Sequence, residues 1–246
     1  MRRIRKKWIY AGAAVIAVSG LCSLIDHQSE LNEVLQLTVT RCEEYEIALS
    51  DEPEETLQDW QKINSDVRYV LEFSEADRQC RIPVLAASDP DYAMRHNLYG
   101  EYDTMGSVFV EDTGTEIDTA DNLIIYGHSS KTKDWCFTFL KQYSDPDYFQ
   151  DHPLIILEGT DARETYEVVS FGRYDLNEED TWLGWGSPSL GSIEEAREMF
   201  LQSEPYLIQK RRGIAYHGQR VLTLVTCDMA QEDSRYVLQA VRKVFL

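Results

Sequence analysis

The chain has 246 residues, 43% of them hydrophobic and 27% charged, and a formal charge of −19. That length suits one ordinary domain with additions, and the composition excludes a disordered or low-complexity chain. So acidic a protein is excluded as a non-specific nucleic-acid binder, since phosphate contacts require Lys and Arg.

The charge is unevenly placed. Arg2, Arg3, Arg5, Lys6 and Lys7 put five positive charges and no acid into residues 1–25, so the remainder carries −24. "WIYAGAAVIAVSGLCSLI", residues 8–25, is an uncharged run near the lower length limit for a spanning helix. With the basic cluster before it, the positive-inside rule predicts a cytoplasmic tail over 1–7, a transmembrane signal anchor over 8–25, and an extracellular body on a single-pass membrane protein. A cleaved signal peptide is the competing reading. No small-x-small site follows the run, and Leu21 stands where a lipoprotein signal before Cys22 wants a small residue. An uncleaved anchor is therefore the expectation.

Residues 26–65 read as a helical stalk and N-terminal helices. Leu31, Val34, Leu35 and Leu37 fall near helical spacing, and Pro53 precedes a short helical stretch, "EETLQDWQKI". From residue 66 to 246 the texture becomes β-rich. "VRYVLEF", "SVFVED", "NLIIYG", "LIILEG", "ETYEVVSFGRYDL", "RVLTLVT" and "RYVLQAVRKVFL" read as strands separated by Gly, Asp and Asn clusters. So many short strands predict a barrel or sandwich rather than a doubly wound sheet. Two helical inserts interrupt them. The first is "DWCFTFLKQYSDPDYFQDH", in which Cys136 is expected inside a helix with Phe137 and Phe139. The second is "SIEEAREMFLQS", where Ser192 and Glu195 form a capping box and Ile193, Ala196 and Phe200 share a face.

Five cysteines are present: Cys22, Cys42, Cys80, Cys136 and Cys227. Their spacing suggests no zinc site, and nothing in the sequence calls for a metal or other cofactor. Cys42–Cys80 is a conceivable disulfide outside the cell. An odd count leaves at least one thiol unpaired. Cys227 ends the apolar run "VLTLVTC" and is either a small buried hydrophobe or a nucleophile. A thiol nucleophile needs a base or a cation beside it. Of five histidines, His128 alone follows an apolar strand closed by a glycine, "NLIIYG", and precedes the polar run "SSKTKD". It is a candidate acid/base, or else a turn residue bonded to backbone. Arg235 begins the strand after Cys227, so a short loop between the two strands places them side by side. There it stabilises an oxyanion or lowers the thiol pKa. The alternative for Arg235 is a surface salt bridge with Asp228, Glu232 or Asp233.

On these residues the chain resembles the sortase family of cysteine transpeptidases. "TLVTC" at 223–227 matches the TLxTC signature, "YGHSS" at 126–130 matches the histidine block, and Arg235 falls where the family's arginine belongs. The segment "YAMRHNLYGEYDTMGSVFVED", the helical insert after "ETYEVVSFGRYD" and the helical N-terminal extension are most like class B, over roughly residues 57–246. The resemblance implies a mainly β fold, a closed eight-stranded barrel with helical inserts. It also implies Cys227 as nucleophile, His128 as acid/base and Arg235 as oxyanion or substrate stabiliser. Tyr126, Met94, Val225, Thr226 and Asp228 are implied at the substrate groove. The chain departs from the class in three places. Val225 replaces a common serine, Asp89 is followed by Pro90 rather than Asn, and Met94 stands at a leucine position. These changes bear on peptide specificity.

The function implied is cleavage of a secreted protein after Thr in a C-terminal sorting motif. A thioester forms on Cys227, and the protein is transferred to an amine of peptidoglycan or its lipid-linked precursor. Three alternatives stay open: a pilin-polymerising enzyme using a pilin lysine, a thiol hydrolase resolved by water, and a non-catalytic binding module on the same scaffold. The acidic body favours a cationic amine acceptor or is simply a solvated surface.

Overall fold

The computed structural model describes residues 56–75, 78–112, 117–131, 136–177, 186–212, 216–230 and 233–243. All of these lie in the second of the chain's two compact units, residues 47–246. The anchor at 8–25, most of the stalk, and Cys22 and Cys42 lie outside the described residues.

The first described element is helix α1 (Leu57–Ile63), shorter than the helical stretch read from the sequence. Thr56 caps it: its hydroxyl accepts from the Asp59 N–H while the Asp59 carboxylate takes the Thr56 N–H, so two of the helix's orphan donors are satisfied. Nine strands follow: β1 (Val67–Glu75), β2 (Arg78–Ala87), β3 (Val108–Glu111), β4 (Asn122–Tyr126), β5 (Leu154–Glu158), β6 (Arg163–Asp175), β7 (Leu207–Lys210), β8 (Val221–Cys227) and β9 (Ser234–Arg242). Their order is β5-β1-β2-β3-β4-β8-β9-β6, and pairing of β5 with β6 closes these eight into a barrel. The predicted closed eight-stranded barrel is therefore present. The ninth strand, β7, pairs only with β6.

Closure depends on β6, whose 13 residues serve three partners. It meets β5 over 163–167, β9 over 166–175 and β7 over 170–172. Register shifts at Val168/Ser170 and Phe171/Gly172 bend it enough to do so. The β4–β8 pair is parallel, as is β2–β3. The sequences of β4 and β8, "NLIIY" and "VLTLVTC", are apolar on both faces because both faces are covered. Inside the barrel lie Leu71, Leu123, Ile125, Leu222, Leu224 and Leu238, each at most 1% exposed. Outside, Ile124, Tyr174, Val225 and Val237 form a separate cluster against the same strands. Each such side chain contributes about 1.5–3 kcal/mol by burial.

Two strands were not legible. β2 contains Pro83, normally a mark against a paired strand. Here Pro83 falls one residue before the ladder to β3 begins at Val84, so that ladder runs on residues that keep their N–H groups. β7 is four residues with no apolar alternation to find.

The inserts are as read in position and different in detail. The first is a 3₁₀ segment, Thr138–Ser144, followed by α3 (Pro146–Asp151), which Asp145 caps. Cys136 is not helical. It sits at φ +50 in the turn before the 3₁₀ segment, with Phe137 and Phe139 buried in the core beyond it. The second insert is α4 (Ile193–Gln202), with the predicted Ser192–Glu195 reciprocal cap at 2.7 and 3.2 Å. Ala196 is fully buried and Phe200 half-buried, but Ile193 in the first turn is 38% exposed beside Gly218. One short helix remains, α2 (Pro90–Ala93), capped by Asp89 with Pro90 at its first position.

Candidate active site

The site is a consequence of strand register. β8 and β9 pair antiparallel with Cys227 directly opposite Arg235. β4 and β8 pair parallel with Tyr126 opposite Val225, and the Gly127 N–H continues the ladder to the Val225 carbonyl at 3.1 Å. His128 follows two residues after Tyr126, just past the end of β4, and Cys227 two residues after Val225, at the end of β8. The thiol and the guanidinium thus face each other across one rung, and the imidazole stands past the end of the neighbouring strand.

Face follows from alternation. Leu222 and Leu224 point into the barrel, so Val225 and Cys227 point out, and Val225 packs in the outer cluster. The same count puts Ile124 and Tyr126 outward on β4, and Val237 and Arg235 outward on β9. Cys227 and Arg235 therefore share the outer face at one end of the barrel, on the side of the outer cluster of Val225, Val237 and Tyr174, and Tyr174 pairs with Arg235 from β6. Cys227, His128 and Arg235 are each half-buried rather than sealed in the core.

Each group is held through main chain. The His128 ring Nε2 lies 3.0 Å from the Met94 carbonyl, and the His128 carbonyl accepts from the Phe137 N–H at 3.0 Å. Gly127 is required between them, because a Cβ there would come within 2.7 Å of the Phe137 ring. The Arg235 Nη1 donates to the Ser234 carbonyl at 3.0 Å.

The five residues expected at the groove divide into two sets. Tyr126 and Met94 are half-buried beside the site, with Tyr126 stacked on Phe109 at 5.6 Å and Met94 packed on the same cluster. Burial, and then the Glu111 charge, push the Tyr126 hydroxyl up to about 12, so it is a donor at neutral pH. Val225, Thr226 and Asp228 are buried at 3%, 2% and 5% exposure. Val225 is floor. Thr226 lies on the inward face, its hydroxyl without a hydrogen-bond partner among the described residues. Asp228 pairs with the Arg173 Nε at 2.7 Å and accepts the Ala230 N–H at 2.9 Å, which shapes the turn after the cysteine. The Asp228 alternative for Arg235 is thus met by Arg173 instead.

Cys136, only eight residues from His128, is a different kind of thiol. It is 7% exposed, its Sγ faces the Met105 carbonyl at 3.6 Å, and burial followed by Asp103 pushes it up to about 12. It stays protonated and inert at neutral pH. A cavity of about 350 Å³ under α4, lined in part by Phe200, Leu207 and Val241, carries none of the three site residues.

Met94, expected at the groove, also meets His128 through its main-chain carbonyl, which no sequence pattern marks. Gly106, in the turn-like "DTMGS" and packed against that carbonyl, and Tyr174 carry no sequence signal of a site.

Known proteins share this sequence pattern and fold. The Sortase domain profile matches residues 78–243. Sortase B of Listeria monocytogenes is 29% identical over 194 residues, covering 78% of this chain and 75% of that protein. Among solved structures, Clostridium perfringens sortase B superposes with a TM-score of 0.67 at 22% identity, covering 77% of this chain and 100% of that one. A Streptococcus pyogenes class B sortase involved in pilus biogenesis superposes at 0.63 with 18% identity, covering 76% of this chain and 98% of that one.

Proposed function

Since the chain belongs to the sortase family, as a cysteine transpeptidase of the class B type, we propose that it joins a secreted protein to a cell-wall amine through a thioester on Cys227. The carrying observation is the rung on which Cys227 and Arg235 pair on the outward face of β8 and β9, with His128 just past the end of the adjoining β4. The Cys227 thiolate attacks the carbonyl carbon of Thr in a C-terminal sorting motif, forming a C–S bond. Arg235 donates to the resulting oxyanion, a role for which a guanidinium fork is suited. The intermediate collapses, the C–N bond breaks, and the His128 ring gives its proton to the departing amine. A second amine attacks the thioester, passes a proton to His128 and forms the new amide, returning the thiolate.

The amine belongs to a peptidoglycan stem or cross-bridge, or to the lipid-linked precursor. The uncharged run at 8–25 holds the enzyme on the outer membrane face, beside both substrates. The test is product analysis by mass spectrometry. Purified protein is given a sorting-motif peptide with and without an amine-bearing stem peptide. A joined product appearing only with the amine supports the proposal, and cleaved peptide alone, unaffected by the amine, replaces it with a thiol hydrolase. The pilus-associated relative makes pilin polymerisation the second reading, and preference for a pilin lysine peptide over the stem peptide decides for it. Recovery of the full chain, but not of a variant lacking residues 1–25, in the membrane fraction tests the anchor.

A further inference from the structure

His128 is held at its ring by a carbonyl, and that carbonyl is itself held. Met94 ends α2, with its N–H bonded to the Pro90 carbonyl. Directly against Met94 lies Gly106, buried and at φ +54. A Cβ on Gly106 would fall 2.5 Å from the Ala93 oxygen and 2.5 Å from both the carbon and oxygen of the Met94 carbonyl. Neighbouring bonds fix this approach. The Gly106 N–H donates to the Asp103 carbonyl at 3.0 Å and the Ser107 N–H to the Ala93 carbonyl at 2.9 Å. The Ser107 hydroxyl donates to the His96 carbonyl at 2.8 Å. No other residue type fits, because an L side chain is strained at that φ and would displace the carbonyl besides.

The carbonyl has a chemical consequence. A carbonyl accepts and cannot donate, so the 3.0 Å contact puts the ring proton on Nε2. In the neutral ring Nδ1 then carries no proton and is the nitrogen able to accept one. We infer that Gly106 is a positioning residue for His128: by letting the 106–107 backbone press against the end of α2, it sets the Met94 carbonyl that selects the Nε2–H tautomer and aims Nδ1 at Cys227. This rests on the assignment of His128 as the acid/base of the proposed transfer.

The same loop supplies the control. Gly100 also has a positive φ, +75, but a Cβ there meets only the Tyr92 hydroxyl at 3.4 Å. Gly100→Ala therefore carries comparable backbone strain without touching Met94. Two measurements test the inference. In the unliganded, ¹⁵N-histidine-labelled protein, long-range ¹H–¹⁵N spectra read the His128 tautomer, with the signal assigned by its loss in His128→Gln. The expected result is an Nε2–H ring in the wild type and in Gly100→Ala, and a mixture in Gly106→Ala. In turnover, a misplaced acid/base predicts that Gly106→Ala loses about 100-fold in kcat with KM little changed, while Gly100→Ala stays within about threefold of wild type. A wild-type ring protonated on Nδ1 overturns the inference even if Gly106→Ala does not fold. So does Gly106→Ala with unchanged tautomer and turnover, or an equal loss in both glycine variants. Failure of the parent reading looks different: no acyl-enzyme forms in the wild type with any sorting peptide, whatever the tautomer.

Discussion

Two patches on the outside of the same barrel handle half-buried polar groups in opposite ways. Over β1, β2 and β5, Glu72 is 0% exposed and is paired with both Arg81 and Arg163, while Arg81 reaches on to Glu158 at 2.6 Å. Charge meets charge, and the patch is chemically silent. At the ends of β4 and β8 and the start of β9, the polar groups are oriented by neutral carbonyls instead: Met94 for His128 and Ser234 for Arg235. A carbonyl orients a ring or a fork and brings no charge of its own. One patch ties the sheet together, and the other is the one proposed to carry the chemistry.

Separating stability from turnover sharpens that contrast. Glu72→Ala leaves two arginines facing a buried gap, and breaking a buried pair in this way costs about 3–5 kcal/mol. Urea unfolding should show that loss, while kcat/KM of the folded fraction stays near wild type. Arg235→Lys should do the reverse. A point charge replaces a planar fork, and losing one oxyanion donor costs about 10²–10³ in turnover, with the unfolding midpoint barely moved. A lysine variant of near-normal rate would remove Arg235 from the mechanism.

Asp228 lies between the two behaviours, since it is an ion-paired buried carboxylate next to the nucleophile. Asp228→Asn loses the charge opposite Arg173 and keeps an acceptor for the Ala230 N–H. A charged hydrogen bond of this kind is worth about 1.5–3 kcal/mol, to be read by thermal or urea unfolding. The smallest effect is expected at Cys136. Replacing it with alanine removes roughly one buried methyl's worth of contact, about 1 kcal/mol, and leaves acylation of Cys227 unchanged. Peptide mapping after iodoacetamide at pH 8 should find Cys227 alkylated and Cys136 unmodified, because burial holds the Cys136 thiol near 12.

The contrast also explains what could be read without coordinates. Cys227, His128 and Arg235 stood out because each is a chemically distinctive residue just past or just before an apolar run, and for Cys227 and Arg235 strand pairing converts that spacing into proximity. A barrel or sandwich was legible as a count of β-rich runs and the closed eight-stranded barrel only through the family resemblance, while β2 was hidden by Pro83 and β7 by its brevity. Cys136 was misplaced into a helix because "CFTFL" has helical-looking spacing while the local backbone turns at φ +50. Ile193 shares a nominal face with Ala196 and Phe200, yet α4's first turn leaves it partly in solvent. The supports of the site were illegible for a physical reason. They are a carbonyl of Met94 and a bare α-carbon at Gly106, and neither has a side-chain signature.

The central claim is that the thiol of Cys227, opposite Arg235 on the outward face and served by His128, is the acyl carrier. It is tested most directly by trapping. The wild-type protein is incubated with a sorting-motif peptide, quenched in acid and digested, and the adduct is located by mass spectrometry. The account predicts the peptide's N-terminal fragment in thioester linkage on Cys227, released by hydroxylamine and absent in Cys227→Ala. An adduct on another cysteine, or cleavage that persists in Cys227→Ala, would contradict it.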